Sequence, residues 1–122
     1  MPHRILSLAT DPSLITLREM VLKTAGYEVM SATSLIQVDQ ALETGDFDLV
    51  LISHTITEKE KRRIATRLRD LGTAADVLEL CFISPEIPDV DHWMIESDPQ
   101  ALLDKIKDIF EGRKAAYRKA QQ

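Results

Sequence analysis

Short apolar runs alternate along this chain with longer segments that carry helix signals at both ends. The apolar runs are Ile5–Thr10, Tyr27–Ser31, Asp48–Ser53, Val77–Ile83 and His92–Glu96. Runs of this length, bounded by turn and cap residues, predict strands. Strands that alternate with helices form a parallel sheet covered by helices, so this order predicts an α/β protein. Within it, Leu49–Ile52 has no polar alternation and predicts a strand buried on both faces.

Four segments have the residues that begin and end helices. Their patterns cover Ser13–Ala25, Ser34–Thr44, Thr57–Leu71 and Pro99–Glu111. The residues at the four starts accept hydrogen bonds from the first turn of a helix: Asp11 before Pro12, Ser34 with Gln37, Thr57 with Glu60, and Asp98 before Pro99. A glycine follows each pattern, as is common where a helix ends in the left-handed conformation: Gly26, Gly45, Gly72 and Gly112. We therefore predict four helices.

The composition narrows the class of protein. With 122 residues, 44% of them hydrophobic and 29% charged, the chain has the size and make-up of one globular domain. Its single cysteine, Cys81, excludes an internal disulfide and a zinc site built on several thiolates. The net charge of −5 argues against nucleic acid as the main partner. Because no run is long enough for a membrane helix and the N-terminus lacks the apolar core of a signal peptide, we expect a cytoplasmic protein without a membrane partner.

Four stretches of the sequence are similar to a known family. They are Arg4–Pro12 (RILSLATDP), Leu22–Val29 (LKTAGYEV), Phe47–Ser53 (FDLVLIS) and Asp98–Ile106 (DPQALLDKI). Together they resemble response-regulator receiver domains over residues 4 to about 110. The resemblance implies a flavodoxin-like three-layer sandwich with a five-stranded, mainly parallel sheet in the order 2-1-3-4-5. It also implies phosphoryl transfer from a histidine kinase to an aspartate that lies beside a bound Mg²⁺.

The residues that carry this chemistry in the family are replaced here. Ala9 and Thr10 stand where the family has two acidic residues, and Ser53 stands at the position of the phosphorylated aspartate. Cys81 and Ile95 match the family's hydroxyl residue at the end of strand four and its lysine near the end of strand five. Mg²⁺ prefers carboxylate oxygens, and a serine hydroxyl needs a base to become a nucleophile. We therefore expect no Mg²⁺ and no other cofactor, and we interpret the chain as a pseudo-receiver.

Other residues near this pocket have a structural and a functional interpretation. Asp11 matches a third acidic residue of the family, yet its place before a proline favours an N-cap over a cation ligand. Ser53 and His54 are adjacent at the carboxyl end of the predicted central strand, where open α/β sheets bind ligands. Because neighbours in a strand point to opposite faces, we expect no hydrogen-bonded catalytic pair. We interpret Cys81 as a buried, small apolar residue rather than a redox thiol.

The connection between strands four and five departs from the family, which has a helix there. The segment Ser84–Asp91 is short and holds two prolines, so we expect this helix to be missing or reduced. Glu79 lies among apolar residues of the preceding strand, and we expect it to face water on the uncovered side of the sheet. On the third helix we expect Ile64, Leu68 and Leu71 to face inward and the six basic residues to be solvated; binding of an acidic partner is the alternative.

The last ten residues, 113–122, are rich in helix formers, so we expect the last helix to continue past Gly112. We interpret them as a helical extension of a receiver-like domain at residues 1–112, not as a separate domain. Arg113, Tyr117 and Arg118 offer a candidate surface for a protein partner or for a second copy in a homodimer. A helix ordered only by a lattice contact is the alternative.

The leading hypothesis is a non-enzymatic signalling module. It is an atypical response-regulator receiver that acts through protein–protein interaction without aspartate phosphorylation. One alternative is a receiver in a two-component phosphorelay with a non-standard acceptor at Ser53, His54 or Asp11. The other is a small-ligand-binding or enzymatic flavodoxin-like domain, which needs a pocket with convergent polar groups. A nucleotide site is disfavoured because the chain has neither G-x-G-x-x-G nor a P-loop.

Overall fold

A computed structural model describes residues 2–120 of the chain. The elements follow one another as β1 (Arg4–Leu8), α1 (Pro12–Thr24), β2 (Glu28–Ala32), α2 (Leu35–Leu42), β3 (Leu49–Ile52), α3 (Glu58–Asp70), β4 (Asp76–Cys81), β5 (His92–Ile95) and α4 (Pro99–Ala120). Residue 1 of the predicted domain and residues 121–122 of the predicted extension lie outside the described residues. No helix within the described range is long and apolar enough to cross a membrane.

The five strands form one sheet in the order β2-β1-β3-β4-β5, and every neighbouring pair is parallel. Helices α1 and α4 cover one face, where Leu22 and Ile106 pack with Leu51 and Leu78. Helices α2 and α3 cover the other face of the central strands. All four residues of β3 are fully buried, which confirms that this strand is covered on both sides. The predicted flavodoxin-like three-layer sandwich is therefore confirmed.

The helix starts follow the predicted caps. Asp11 Oδ1 accepts a hydrogen bond from Ser13 N at 2.9 Å, and Asp98 Oδ1 accepts one from Ala101 N at 2.8 Å. Ser34 and Thr57 cap α2 and α3 in the same way. These contacts involve residues two or three positions apart, so the local sequence is sufficient to specify them.

Three of the four predicted helix-ending glycines have the expected geometry. Gly26, Gly45 and Gly72 have positive φ angles and lie two or three residues after the ends of α1, α2 and α3. Gly112 does not end a helix, so that prediction is wrong. It lies inside α4, whose helix formers on both sides continue the helix to Ala120, and the expected continuation past Gly112 is confirmed.

Residues 82–91 connect β4 to β5 without a helix, as predicted. The two strands are nonetheless parallel neighbours, with Cys81 beside Ile95 and Glu79 beside Trp93. Ten residues reach about 33 Å when extended, whereas the six residues of β4 span about 20 Å. An extended segment is therefore long enough to return along the strand, and β5 becomes an edge of the sheet.

The prediction that Glu79 faces water is wrong. Its side chain is fully buried and lies 2.9 Å from the equally buried Lys61 Nζ. Lys61 Nζ also donates to the carbonyl oxygen of Leu80 and to Glu86 Oε1. The carboxylate of Glu79 also accepts hydrogen bonds from two backbone N–H groups of the β4–β5 connection, those of Glu86 and Ile87. A lysine from α3 and the connecting segment thus take the place of solvent around this carboxylate.

The charged state of Lys61 results from opposing effects. Burial on its own would lower the pKa of the ammonium group, but hydrogen bonds from Lys61 to Glu79 and Glu86 raise that pKa above its ordinary value. Lys61 is therefore protonated at neutral pH and neutralises a carboxylate that cannot reach water. One of the six basic residues on α3 is consequently part of the core and not of a solvated face.

The buried face of α3 ends earlier than the spacing of its apolar residues predicts. Ile64 and Leu68 are 3% exposed, which confirms their predicted burial. Leu71 is 46% exposed, so its predicted burial is wrong. It follows the last helical residue, Asp70, and precedes the left-handed Gly72, where the backbone turns away from the sheet. A residue with the correct helical spacing is therefore displaced from the core because the helix has already ended.

Candidate functional site at the carboxyl end of the sheet

The carboxyl ends of the central strands bring the predicted pocket positions to one edge of the sheet. Ser53 N donates to the carbonyl oxygen of Leu8, the last residue of β1, at 3.0 Å. Glu96 N donates to the carbonyl oxygen of Cys81, the last residue of β4, at 2.9 Å. Ala9 directly follows Leu8 and is fully buried. The fold therefore brings these positions to one edge of the sheet, as expected. The reactions that are possible there depend on the side chains at these positions.

The side chains at the first strand's end do not fit a magnesium ion. Ala9 contributes no donor atom, and Thr10 contributes only a neutral hydroxyl. Asp11 is the one carboxylate of the three, and its Oδ1 already accepts N–H groups from Ser13 and Leu14 at the start of α1. Within residues 2–120, no three His, Cys, Asp or Glu side chains gather where they would hold a metal ion. Mg²⁺ in proteins normally takes one or two carboxylates directly, and this donor set is too poor for it.

Ser53, at the position that matches the family's phosphorylated aspartate, is fully buried. Its Oγ lies 2.9 Å from Thr55 Oγ1 and accepts a hydrogen bond from Thr55 N at 3.2 Å. The hydroxyl therefore closes a local turn after β3. His54 is not among its hydrogen-bond partners, so the structure does not form the serine–histidine pair that nucleophilic attack would require.

A polar cluster that the sequence analysis missed lies next to this position. Arg18 of α1 is 4% exposed, and its Nη2 donates to Glu96 Oε2, just after β5, at 3.0 Å. The same Nη2 lies 3.4 Å from His54 Nδ1, and His54 Nδ1 lies 3.5 Å from Glu96 Oε2. We call Arg18, His54 and Glu96 the polar triad. It joins α1 to the loops after β3 and β5, at the end of the sheet where α/β folds bind ligands.

Burial governs the charges within the polar triad. It lowers the pKa of Arg18, and the carboxylate of Glu96 partly offsets this effect. Burial also lowers the pKa of His54; Glu96 acts in the opposite direction, while Arg18 and Lys61 lower it further. His54 is therefore neutral at pH 7. Since a guanidinium only donates, Nδ1 of the neutral ring accepts from Arg18, and the ring proton is on Nε2.

The sequence did contain a signal for Arg18. It lies four residues after Leu14 and four residues before the fully buried Leu22, which places it on the inward stripe of α1. A basic residue on such a stripe needs a buried partner, but the sequence does not say which one. Arg18 and Glu96 also border a cavity of about 110 Å³ whose other walls are mainly apolar, formed by α1, β5 and the start of α4. The arrangement suits charge pairing inside the protein.

Cys81 and Ile95, the two remaining pocket positions, differ in exposure. Ile95 is 44% exposed at the end of the edge strand. Cys81 is fully buried, as predicted, and burial raises the pKa of its thiol to about 11, with Glu79 contributing in the same direction. The thiolate, which is the reactive form, is therefore scarce at physiological pH.

We expect Cys81 in the folded protein to resist alkylation. With a pKa of about 11, roughly one thiol in a thousand is ionised at pH 8, and burial withholds it from reagent. Intact-mass measurement after iodoacetamide treatment at pH 8 is expected to show unmodified native protein and complete modification in urea. Equal rates in the two conditions would mean that Cys81 is accessible in the folded state.

The structure separates the predicted partner surface from this edge of the sheet. Arg113 Nη1 donates to the carbonyl oxygen of Asp48 at 2.7 Å, just before β3 begins. Tyr117 is 67% exposed and Arg118 is exposed, farther along the same helix. These residues therefore lie at the amino end of the sheet, opposite the polar triad.

Comparison with known proteins gives matches of structure rather than sequence. No protein-family model and no curated protein matches the chain. A CheY-like receiver domain from Methanospirillum hungatei has a TM-score of 0.80 at 18% identity, over 95% of this chain and 99% of that chain. Response regulator TrrA from Thermotoga maritima, in complex with Mg²⁺-BeF, has a TM-score of 0.73 at 22% identity, over 87% and 97% of the two chains. TrrA in complex with the histidine kinase ThkA gives 0.72 at the same identity and coverage.

The order of the five parallel strands and these superpositions agree over nearly the whole length of both chains. This chain has the receiver fold. Within this fold, the chain connects β4 to β5 without a helix. The likeness to response regulators is one of architecture.

Proposed function

We propose that this chain is an atypical response-regulator receiver that transmits signals through protein contacts and not through phosphorylation. In this proposal it is a cytoplasmic, non-enzymatic protein that works without Mg²⁺ or another cofactor. The observation that supports it is the donor set at the carboxyl edge. A buried alanine, a neutral threonine and a hydrogen-bonded serine occupy the positions where phosphoryl chemistry needs carboxylates.

The chemistry of Ser53 supports this proposal. A carboxylate is already ionised at neutral pH, whereas a serine hydroxyl becomes nucleophilic only when a base removes its proton. The neighbours of Ser53 Oγ are the hydroxyl and the amide of Thr55, and neither is a base. The Nδ1 atom of the His54 imidazole accepts a hydrogen bond from Arg18 instead.

A protein partner is the natural consequence of this proposal. TrrA, which has the same fold, forms a complex with a histidine kinase. A receiver fold that lacks phosphoryl chemistry retains the surfaces of its helices and loops for such contacts. We therefore propose that a signalling protein binds this chain, and that the compact domain and the C-terminal extension from residue 113 both remain available to it.

The competing function is a phosphorelay receiver with a different acceptor. Its candidate acceptors are Ser53, His54 and Asp11. The buried hydroxyl of Ser53 and the capping role of Asp11 leave both groups occupied. His54 has a neutral ring that is partly exposed, so it is the remaining candidate acceptor.

Intact-mass spectrometry after incubation with acetyl phosphate and Mg²⁺ tests the proposal. We expect no change in mass for this chain, because no ionised nucleophile lies beside a metal site. A receiver domain with a complete acidic pocket, treated in parallel, serves as the positive control. The variants Ser53→Ala and His54→Gln identify the acceptor if an adduct appears. A phosphoryl adduct on the unaltered chain would overturn the proposal.

A further inference from the structure

Four large apolar side chains lie exposed around the end of β5. Phe82 and Ile83 are 72% and 84% exposed, and Trp93 and Ile95 are 45% and 44% exposed. Trp93 and Ile95 share one face of the edge strand, and Phe82 directly follows Cys81, the residue beside Ile95. We call these four residues the β5 patch. Apolar clusters of this kind on a protein surface commonly mark interaction sites.

The β5 patch is exposed because of the helix-free connection. The connecting segment covers the buried groups of β4, since the backbone of Glu86 and Ile87 binds Glu79. It does not cover the same face of the next strand, where Trp93 and Ile95 remain about half exposed. A sheet of this type is normally packed against helices on both faces. The β5 patch is therefore a sheet surface that lacks a covering helix.

The segment that carries the β5 patch is acidic. Residues 82–98 contain five acidic residues and no lysine or arginine: Glu86, Asp89, Asp91, Glu96 and Asp98. Arg18 pairs with Glu96, and Lys61 is shared between Glu79 and Glu86, so two cations offset only part of this charge. A helix suited to this surface would bring an apolar side chain and positive charge.

The end of α4 has both properties. The segment Arg113–Ala120, which we call the basic tail, contains four basic residues and no acidic one. Every residue from 114 to 120 is exposed, and Tyr117 presents an aromatic ring that is 67% exposed. Ala120 follows Tyr117 by three residues and lies on the same side of the helix, which allows close approach to a flat surface.

The basic tail cannot cover the β5 patch of its own chain. Arg113 binds the backbone at the amino end of the sheet, whereas Phe82 and Ile83 follow the carboxyl end of β4. The six residues of β4 separate the two ends by about 20 Å. Beyond Arg113 the helix continues away from the sheet for about 10 Å at 1.5 Å per residue. Only another molecule brings such a helix to the patch.

From this we infer that the basic tail of one copy of the chain binds the β5 patch of a second copy. The docked tail supplies the missing helix over Trp93 and Ile95, with Tyr117 as its anchor and basic side chains drawn to the acidic segment 82–98. The contact joins two different surfaces. Two copies therefore form a closed dimer when each tail binds the patch of the other copy. When only one of the two tails binds, further copies can add and form an open chain. This inference does not rest on the proposed signalling function.

Sedimentation velocity of the full chain across a micromolar concentration series tests the inference. We expect concentration-dependent self-association that weakens at high salt, because the charged contacts are screened. Tyr117→Ala and Arg118→Glu are expected to weaken the association by about tenfold or more, as loss of an aromatic anchor or of a matched charge does at interfaces. Lys107→Glu, an exposed charge reversal elsewhere on α4, is the matched control and is expected to leave the association unchanged.

Two further measurements distinguish this contact from any other form of self-association. Trp93 is the single tryptophan, so its emission is expected to shift to shorter wavelength with concentration, and the Tyr117→Ala variant is expected to lack the shift. A mixture of Tyr117→Ala with Trp93→Ser is expected to associate more tightly than either variant alone, because one intact tail then meets one intact patch. The inference would be overturned if the chain stayed monomeric at every concentration. It would also be overturned if Tyr117→Ala and Trp93→Ser both associated as strongly as the unaltered chain.

Discussion

Replacing Lys61 with methionine is expected to destabilise the protein by about 3–5 kcal/mol, the cost of breaking a buried ion pair by removing one partner. The lysine and Glu79 are both fully buried and lie 2.9 Å apart. Without the ammonium group, the carboxylate of Glu79 remains in the core without a countercharge. Urea unfolding followed by circular dichroism measures the loss as a lower transition midpoint with an unchanged slope.

Lys59→Met is the matched control, because Lys59 is exposed two positions earlier on the same helix. We expect its effect to stay within about 0.5 kcal/mol. Glu86→Gln is expected to cost less than about 1 kcal/mol, since Glu86 is 38% exposed at the side chain and solvent screens its pairing. Similar losses for Lys61→Met and Lys59→Met would show that the buried pair does not stabilise the fold.

Replacing Leu68 with alanine is expected to cost about 2–5 kcal/mol, as for other leucines truncated in a core. Leu68 is 3% exposed and belongs to the cluster between α3 and the sheet. Its loss removes apolar contacts and leaves a cavity that the surrounding side chains fill only in part. Urea unfolding again measures the change in the free energy of unfolding.

Leu71→Ala is the matched control, because Leu71 has the spacing of the same helix face but lies just beyond the end of α3. Its spacing from Leu68 is that of one helical turn, yet Leu71 is 46% exposed beyond the helix end. We expect a loss below about 1 kcal/mol, because much of this side chain already contacts water. Equal losses at the two positions would place Leu71 in the core and contradict the observed end of α3.

Most of the architecture was predictable because its signals are local. The caps at Asp11 and Asp98 bind backbone groups two or three residues away, and the pattern of Leu49–Ile52 is sufficient to indicate a strand buried on both faces. Gly112 shows the limit of such signals. A glycine after a helical pattern usually ends the helix, but the helix formers that follow Gly112 continue it.

The candidate site was predictable in position and not in its contacts. Alignment with the receiver pattern placed Ser53 and Cys81 at the ends of neighbouring strands, where the structure has them. The polar triad was not predicted, because Arg18 and Glu96 are 78 residues apart in sequence and meet only when α1 packs beside β5. No local pattern specifies a partner at that distance.

The burial of Glu79 was also not predictable from the sequence, which indicated an exposed side chain. The missing helix correctly predicted an uncovered region of the sheet, but it did not show which residues the connecting segment would cover. The connection lies over Glu79 and leaves Trp93 exposed one strand away. Exposure depends on the path of a loop in three dimensions, whereas sequence periodicity describes only the element itself.

The sequence alone therefore determined the order and type of the elements, the parallel sheet and the absence of carboxylates at Ala9, Thr10 and Ser53. Each of these follows from residue identity or from spacing within a single element. Tertiary structure alone decided that Lys61 neutralises Glu79, that Arg18 pairs with Glu96 and that the β5 patch is exposed. These features depend on which elements become neighbours in the folded chain. The energy of a buried charge or an exposed ring is set by those neighbours and by their exclusion of water.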